Sequence, residues 1–474
     1  MLLFWGSLLC WGLLPQAQGE ARHQILLRIS KDQLKTDISD LFSEHHILDR
    51  VAGIPVTGAA GEGVTILDHL PFVREGLSKK SSGLDLSLVG DLLSGKRLPL
   101  LEKLLQVGGL VIEDAVGPEI TLQILSDSLL QVTLRTKLYL SLQQILRLKV
   151  IKNIRIGIRL EQMGNETKVA FEECHTPPGY LSIKVLEQMD PLLANGALEL
   201  VTSTLDKALP FLLQKIVCPL ATTLLNSLLE DMLHLTLPPT ISSPEDFQYY
   251  VTTTEFTEEA ILMKVQLVTP CSPGQRPRRP DHLTPQPLPK LAQGSMADLA
   301  FGLEVYNDIL SCLYTSKEIH VDPQDSKTSK QSRGSVRLTI STPDPPTVHI
   351  DGHTATVTQP GSLVLLGTSN TSSVSLSWNL LSKAVFSSRN QELKLQFTPS
   401  STTVTLGPYP AGLAKQEKRM EAFLLELLNR VFLPHHNELL REQDLPLPNV
   451  KGISFDQAQV EPSKGYVLLT VPDE

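Results

Sequence analysis

Apolar and polar residues alternate along two long stretches in the first half of the chain. In the segments LLQVTLRTKLYLSL (129–142) and NIRIGIRLE (153–161), aliphatic residues such as Leu130, Val132 and Leu134 alternate with polar ones. A period of two is typical of antiparallel β-strands with one face buried and the other in water. We therefore predict two long strands that curl around an apolar interior.

A long run of apolar residues at helical spacing lies between Asp190 and Leu233. Asp190 and Pro191 suit the N-cap and the first helical position, so a helix is predicted over this range. Pro210 and Pro219 predict a kink or an interruption, because proline removes a backbone hydrogen bond. One broad stripe of this helix is aliphatic: Leu205, Leu209, Leu212, Leu213, Ile216, Leu220, Leu224 and Leu228.

Shorter patterns predict strands and helices along the rest of the chain. HQILLRISKDQL indicates a strand leading into a helix, and KVAFEECHTPPGYLSIKVLEQ indicates a strand through Cys174, a Pro-Gly turn and a second strand. YYVTTTEF and AILMKVQLV each fit a strand. In the second half we predict a helix around DLAFGLEVYNDILSCLY and a helix from about Ala411 to Arg441. Between them lie the predicted strands SVRLTI, TVHI, SLVLLG, SVSLSWNL and LKLQFTP.

The same order of elements occurs once in each half of the chain. A helix, a Leu-Pro element and two strands recur, which indicates an internal duplication of roughly 200 residues. Between the halves, PCSPGQRPRRPDHLTPQPLPK (270–290) is rich in proline and charge and predicts an exposed linker or loop. We predict an N-terminal domain over 20–250, a central-sheet strand with the linker over 251–292, and a C-terminal domain over 293–474.

The beginning of the chain predicts the cellular compartment. MLLFWGSLLCWGLLPQAQG (1–19) fits a signal peptide cleaved before Glu20. A membrane anchor is the alternative, but the apolar core is shorter than the ~18 residues that a spanning helix needs. We therefore expect a secreted protein, and the sequons at Asn165 and Asn370 fit a glycoprotein. The spacing of the four remaining cysteines leaves three pairings open: Cys174, Cys218, Cys271 and Cys312.

Composition and charge narrow the function classes. Hydrophobic residues make up 41% of the chain and aromatic residues only 5%, so the interior is largely aliphatic. The net charge of −9 argues against a nucleic-acid partner, because such proteins neutralise phosphates with Lys and Arg. The chain has no GxSxG, P-loop, HExxH or EF-hand motif, and adjacent histidines on a helix point apart. We therefore expect no enzymatic activity, no metal site and no cofactor.

Three segments carry a resemblance to a known family. ILLRISKDQL, LLQKIVCPLATTLLNSLL and LPLPNVKGISFDQAQV resemble the opening strand and helix, the disulfide-bearing helix and the closing strands of one family. It comprises bactericidal/permeability-increasing protein (BPI), lipopolysaccharide-binding protein and the palate-lung-nasal-clone (PLUNC) proteins, and this chain is most similar to its long PLUNC members (BPI fold-containing family B). The resemblance implies an α+β boomerang of two pseudo-symmetric barrel-like domains, each a curled antiparallel sheet with long helices, joined by a central sheet.

The resemblance also bears on the cysteines and on the second domain. It implies a disulfide between Cys174 and Cys218 that staples the long helix to its sheet. Cys271 and Cys312 are then a second pair or two free thiols, and the position of Cys271 in the proline-rich segment favours free thiols. Relatives carry an apolar helical segment where this chain has KEIHVDPQDSKTSKQSRG, so we expect a C-terminal pocket that is smaller, open or absent.

The aliphatic strand and helix residues have two interpretations. Ordinary core packing would bury each of them with a stabilisation of about 1.5–3 kcal/mol. The resemblance implies instead a pocket for acyl chains or another apolar ligand between sheet and helix. The candidate pocket residues are Ile154, Ile156, Ile158, Leu160, Leu205, Leu209, Leu212, Leu213, Ile216, Leu220 and Leu224.

A basic stretch offers a second candidate site. Residues 129–160 contain seven Lys and Arg and no acid, and alternation places several of them on the outer face. This face could be solvated and paired with acids from elsewhere in the fold, or it could dock anionic headgroups. The candidate headgroup patch is Arg135, Lys137, Arg155 and Arg159.

These observations predict a secreted, non-enzymatic carrier of an apolar small molecule or phospholipid. The resemblance implies roles in mucosal secretion, such as odorant or lipid transport and innate defence. The alternative is a host-defence protein that contacts anionic membranes or lipopolysaccharide through the headgroup patch, and a weaker alternative acts at membranes of the secretory pathway. Residues 20–270 hold 23 Lys and Arg against 31 Asp and Glu, so strong lipopolysaccharide binding and bacterial killing are not expected.

Overall fold

The fold is given by a computed structural model of the chain. The described residues are 24–54, 56, 110–142, 146–164, 166–177, 182–188, 191–237, 247–271, 290–315, 317–321, 337–366, 373–408, 416–442, 445–451, 453–463 and 465–473. The predicted signal peptide, both sequons (Asn165 and Asn370) and residues 272–289 of the proline-rich linker lie outside them.

The described residues up to position 271 form strands and two helices. The helices are α1 (Lys31–Glu44) and α2 (Pro191–Leu233). The strands are β1 (Ile25–Ser30), β2 (Leu110–Ser126), β3 (Leu129–Leu142), β4 (Leu146–Met163), β5 (Glu166–Phe171), β6 (Ser182–Gln188), β7 (Gln248–Phe256) and β8 (Ala260–Val268). The two long strands and the long helix predicted from periodicity are confirmed. The prediction that a strand runs through Cys174 is wrong, since β5 ends at Phe171.

The described residues from position 290 onward are also mostly strands. The helices are α3 (Leu303–Leu313), α4 (Glu417–Leu427) and α5 (Leu433–Glu442), with a π-helical turn at Leu428–Phe432 between the last two. The strands are β9 (Ser295–Gly302), β10 (Lys317–Val321), β11 (Arg337–Thr342), β12 (Thr347–Asp351), β13 (Thr354–Leu366), β14 (Ser373–Arg389), β15 (Glu392–Leu406), β16 (Leu445–Pro446), β17 (Asn449–Val450), β18 (Ile453–Ser454), β19 (Gln459–Ser463) and β20 (Tyr466–Pro472).

One prediction in this half needs correction. DLAFGLEVYNDILSCLY was expected to be helical throughout, but its first residues belong to β9 and the helix begins only at Leu303. Residues 295–302 pair with strands on both sides. These hydrogen bonds from distant segments override the local helical pattern, which is a common outcome for short apolar runs.

Three main antiparallel sheets organise the fold. β2, β3, β4 and β5 lie side by side in that order, and β6 also pairs with β4. A seven-stranded sheet in the second half contains β10 to β16. A six-stranded sheet with the order β19-β20-β9-β1-β8-β7 joins strands from both halves. The α+β class, the antiparallel sheets and the central sheet agree with the predicted fold, whereas the domain boundaries stay predictions.

Helix α2 is continuous for 43 residues, so Pro210 and Pro219 do not interrupt it. The residues before and after Pro219, such as Val217 and Ala221, are buried in the core. Tertiary packing of this kind contributes more to helix stability than local propensity does. Leu209–Leu233 is also long and apolar enough to cross a membrane, but half of its most apolar window is buried inside the protein.

Candidate functional site

The sheet of the first half turns one aliphatic face inward. β3 and β4 are paired along their length, with Val132 opposite Ile156 and Leu130 opposite Ile158. Side chains on a strand alternate between faces, so the even-numbered residues of both strands share the inner face. Ile154, Ile156 and Ile158 are fully buried there, and Leu160 is 9% exposed at the end of the row.

Helix α2 contributes most of the predicted stripe to the same interior. Leu205, Leu209, Leu212, Leu213 and Ile216 are buried. Leu220 and Leu224 are only half-buried, whereas their neighbours Ala221 and Leu225 take the core positions. The reason is geometric: at 3.6 residues per turn, each step of four residues rotates the stripe by about 40°.

All eleven candidate pocket residues therefore belong to, or pack against, one continuous hydrophobic core. The same core contains residues of both halves of the chain. Burial of this kind is expected both for ordinary packing and for the wall of a collapsed pocket, so the assignment of these residues to a ligand stays a prediction.

A disulfide joins Cys174 to Cys218, as the resemblance implied, with 5.9 Å between their Cα atoms. The residue after Cys174, His175, forms a β-bridge to Arg155 of β4 through backbone hydrogen bonds of 2.8 and 2.9 Å. Because Cys218 lies in α2, the disulfide attaches the helix to the edge of β4 beside the inward-facing isoleucines.

A cleft of about 930 Å³ opens where the C-terminal end of α2 meets β5 and β7. Its apolar wall includes Val169, Leu233, Leu235 and Phe247. Val169 is the cross-strand partner of Leu160, so the cleft adjoins the end of the predicted pocket row. None of the eleven predicted residues lines this cleft. Phe247, Tyr249 and Tyr250 lie close together in a chain with few aromatic residues. This aromatic cluster is the feature of the sequence that could have indicated the cleft.

Polar groups surround the apolar wall of the cleft. Glu166, Lys168 and His234 are exposed at its edge, and Glu230 accepts a hydrogen bond of 2.8 Å from the Asn226 side chain. The Tyr249 hydroxyl donates to the backbone carbonyl of Pro446 at 2.8 Å. Burial raises the pKa of Tyr249, so this hydroxyl stays neutral. The site therefore combines an apolar wall with a mixed polar rim, as small-molecule sites commonly do.

The second half contains a much smaller cavity. Its volume is about 10 Å³, and it lies between α3, β15 and α5 against side chains such as Ile309, Leu395 and Leu440. This is close to the minimum space for a single water molecule. This cavity is therefore far too small for an acyl chain, and the expected reduction of the C-terminal pocket stays a prediction.

The candidate headgroup patch is largely ion-paired. Glu119 pairs with Lys137 and also lies 3.7 Å from Arg135. Arg159 pairs with Glu172. The hydrogen bond from Lys137 lowers the pKa of the Glu119 carboxyl. Arg155, the fourth member, is exposed. Both acids come from outside residues 129–160. Most of this face is therefore solvated and paired with acids from elsewhere in the fold, which was the first of the two interpretations.

Cys271 and Cys312 form a second disulfide, with 5.8 Å between their Cα atoms. The preference for free thiols was therefore wrong. Cys271 lies three residues after the end of β8, and Cys312 lies in the last turn of α3. The tertiary fold brings these two element ends together, although the sequence places one of them in a proline-rich segment.

Part of the chain is similar to a known protein family. Residues 103–232 match the sequence profile of the LBP / BPI / CETP family, N-terminal domain. This range contains β2 to β6 and all of α2 except Leu233. BPI fold-containing family A member 1 from Sus scrofa is 29% identical over 196 residues, which cover 40% of this chain and 78% of that protein. The predicted assignment to family B stays a prediction.

Solved structures of similar proteins cover most of the chain at low identity. A crystal structure of lipopolysaccharide binding protein aligns with a TM-score of 0.46 and 14% identity, and covers 95% of this chain and 99% of its own. The P47 protein of Clostridium botulinum E1 aligns with a TM-score of 0.38 and 10% identity, and covers 95% and 99% respectively.

Proposed function

We propose that this protein is a secreted, non-enzymatic carrier of lipids or other apolar small molecules, because residues 103–232 match the N-terminal domain of the LBP / BPI / CETP family. Carriage of odorants or lipids in mucosal secretion, with a contribution to innate defence, is the specific form of this proposal.

The observation that carries the proposal is the aliphatic wall leading to the cleft. Ile154, Ile156 and Ile158 lie on the sheet face that packs against helix α2, which the Cys174–Cys218 disulfide attaches to the sheet. Leu160 ends this row, and its cross-strand partner Val169 lines the cleft. The cleft volume of about 930 Å³ lies within the usual range for small-molecule sites. An apolar chain that enters here would gain about 25 cal/mol for each Å² of apolar surface removed from water.

Charge supports an apolar ligand over a heavily phosphorylated one. The chain carries a net charge of −9, and at the cleft Glu166 and Glu230 lie beside Lys168, so the two acids outnumber this lysine. A ligand with several phosphates would be repelled by these groups, whereas an acyl chain would not. Strong binding of lipopolysaccharide is therefore not part of the proposed function.

Mass spectrometry of the protein purified from mammalian secretion medium tests the proposal most directly. Native spectra would detect bound mass, and solvent extraction would then identify the molecule released. We expect a stoichiometric lipid or apolar compound. A folded protein that stays empty after incubation with a mixture of phospholipids, fatty acids and apolar odorants would contradict a carrier function.

A matched pair of variants tests the location of the ligand. Ile156→Glu places a charge on the inner face of β4, where Ile156 is fully buried, and should reduce bound ligand at least tenfold, because burying an unpaired carboxylate is highly unfavourable. Thr133→Glu places the same charge on the outer face of β3 and should leave the ligand content unchanged. Equal ligand content in both folded variants would overturn this location.

The alternative function, docking to anionic membranes through the headgroup patch, has one observation in its favour. Arg135, Arg155 and Arg159 are exposed on the same outer face of the sheet. Liposome binding separates the two functions, because contacts between exposed charges weaken as salt rises, whereas burial of an acyl chain does not. Loss of anionic-liposome binding in Arg155→Glu, together with a steep salt dependence in the unmodified protein, would favour this alternative.

A further inference from the structure

A histidine lies at the centre of an aromatic cluster in the second half of the chain. Only 2% of the surface of His436, a residue of α5, is exposed. Its ring stacks on Phe432 with 4.6 Å between centroids, and it lies 5.2 Å from the ring of Phe397 and 6.4 Å from that of Tyr314. Among the described residues, its Nε2 atom has no hydrogen-bond partner. The fold therefore encloses an ionisable side chain in the way that it would enclose an apolar ring.

The groups around this imidazole do not compensate a positive charge. Phe397 of β15 and Phe432 of the π-helical turn are uncharged, and their ring faces attract a cation more weakly than the water that it loses on burial. Burial and, more weakly, Asp344 raise the pKa of the Tyr314 hydroxyl at the end of α3, which therefore stays neutral. His435, the neighbour on α5, is exposed and basic. Among the described residues, no carboxylate contributes to the pKa of the imidazole.

The helical segment that carries the histidine, residues 417–442, is attached to β15 beside the imidazole. The Asn437 side chain accepts a hydrogen bond of 3.0 Å from the backbone N–H of Phe397 and donates one of 3.1 Å to the carbonyl of the same residue. Both α4 and α5 pack on β15, and the π-helical turn Leu428–Phe432 lies between them. Turns of this kind are rare within helices and often lie at functional sites. The imidazole, the Asn437 contact and the turn thus meet at one contact between helix and sheet.

We propose that His436 is an acid-sensitive latch, whose protonation separates residues 417–442 from β15 while the sheets stay folded. The strands β11, β13, β14 and β15 are hydrogen-bonded to one another, so their pairing does not require the helical segment. Segments that pack on a sheet through side chains can open as a unit without global unfolding. Leu440 of α5 and Leu395 of β15 both line the small cavity of this half, so the latch would open its apolar interior in acid. This inference is independent of the proposed carrier function.

Proton binding determines the direction and the size of the effect. Burial lowers the pKa of His436 to about 4 in the closed form, whereas an imidazole in water has a pKa of about 6.5. Protonation makes both ring nitrogens donors, and the enclosed Nε2 then lacks an acceptor that water supplies in the open form. The open form therefore binds the proton more readily, so opening becomes more favourable as the pH falls below 6.5. From pH 7 to pH 5, these two values raise the equilibrium constant for opening about twentyfold.

Hydrogen exchange of the full chain, followed by mass spectrometry at pH 7 and pH 5, tests the inference. The rates are corrected for the pH dependence of intrinsic amide exchange, so that they report opening. In the unmodified protein, peptides from residues 417–442 should show an increase in opening of about twentyfold at pH 5, and peptides from β3 and β4 should show no such increase. His436→Phe keeps an aromatic ring in the cluster but cannot titrate, so it should lose the increase. His435→Gln, the matched control on the exposed side of the same helix, should keep it.

Each other outcome overturns the latch in a recognisable way. An equal increase in β3 and β4 would mean that acid unfolds the whole protein rather than one segment. An unchanged rate of opening in residues 417–442 would mean that protonation does not release them. An increase that survives in His436→Phe, or that disappears in His435→Gln, would assign the effect to another group. If His436→Phe does not fold, His436→Gln provides the same test, because its amide does not titrate either.

Discussion

His436 is an ionisable residue enclosed by aromatic rings in the second half of the chain. Its ring stacks on Phe432 with 4.6 Å between centroids and lies 5.2 Å from the ring of Phe397. Only 2% of its surface is exposed. Burial, with a smaller contribution from the neighbouring His435, lowers the pKa of His436 from 6.5 to about 4. The folded protein therefore holds this imidazole neutral at pH values where the unfolded chain protonates it.

We expect His436 to make the protein less stable in mild acid. Between pH 6.5 and about 4 the unfolded state binds the proton more readily, so the free energy of unfolding falls as the pH decreases. From pH 7 to pH 5 this residue should contribute a loss of about 2 kcal/mol. Urea unfolding of His436→Gln at both pH values should show a smaller decrease than the unmodified protein, whereas exposed His435→Gln should behave like the unmodified protein. An unchanged decrease in His436→Gln would contradict the assignment.

At the scale of elements, the two disulfides have different roles although they close similar loops. Their sequence separations are 44 and 41 residues, so chain entropy predicts a similar stabilisation of roughly 4 kcal/mol each, less any strain. The Cys174–Cys218 bond attaches α2 to the sheet of β2 to β6, whereas the Cys271–Cys312 bond connects the segment after β8 to α3.

Removing either disulfide should therefore lower stability by a similar amount, but only one should affect ligand capture. The double variant Cys174→Ala/Cys218→Ala should lose about 2–4 kcal/mol and most of its bound ligand. Cys271→Ala/Cys312→Ala should lose comparable stability and retain its ligand. Urea unfolding and mass spectrometry of bound ligand provide the two measurements. Equal loss of ligand in the two double variants would show that the disulfide beside β4 has no special role in the pocket.

At the scale of the whole molecule, the two halves are joined where β1 pairs with β9 in the central sheet. Arg28 and Asp298 are cross-strand partners at this junction. Arg28 Nε donates to Asp298 Oδ1 at 2.8 Å, and a second nitrogen of the guanidinium contacts Oδ2. Asp298 is 1% exposed. Burial raises the pKa of Asp298 more strongly than the hydrogen bonds and charge of Arg28 lower it.

Breaking this ion pair should weaken the junction between the halves. Asp298→Asn leaves the Arg28 charge buried without its carboxylate, so we expect a loss of about 3–5 kcal/mol in the free energy of unfolding. The apolar double variant Arg28→Met/Asp298→Leu should recover most of that loss, because it removes both buried charges. Urea unfolding measures both values. A loss below about 1 kcal/mol for Asp298→Asn would indicate that the pair contributes little at the junction.

The local periodicity of the sequence determined the elements that build the candidate site. Alternation over 129–142 and 153–161 predicted β3 and half of β4 together with the face that each buries. Leucine spacing predicted α2 over its full length. These predictions depend only on the side-chain periods of a strand and a helix, which are properties of neighbouring residues. They failed where the decisive hydrogen bonds came from distant residues, as at the beginning of DLAFGLEV.

Other features of the site were decided by the tertiary structure alone. Glu119 and Glu172 reach the basic face from other segments, and the cleft forms where β5, the end of α2 and β7 converge. Periodicity along one segment carries no information about which distant segment lies next to it. The sequence by itself thus determined the strands, the helix and the face that each of them buries. The tertiary structure decided which segments lie side by side, which acids pair with the basic face and where the cleft opens.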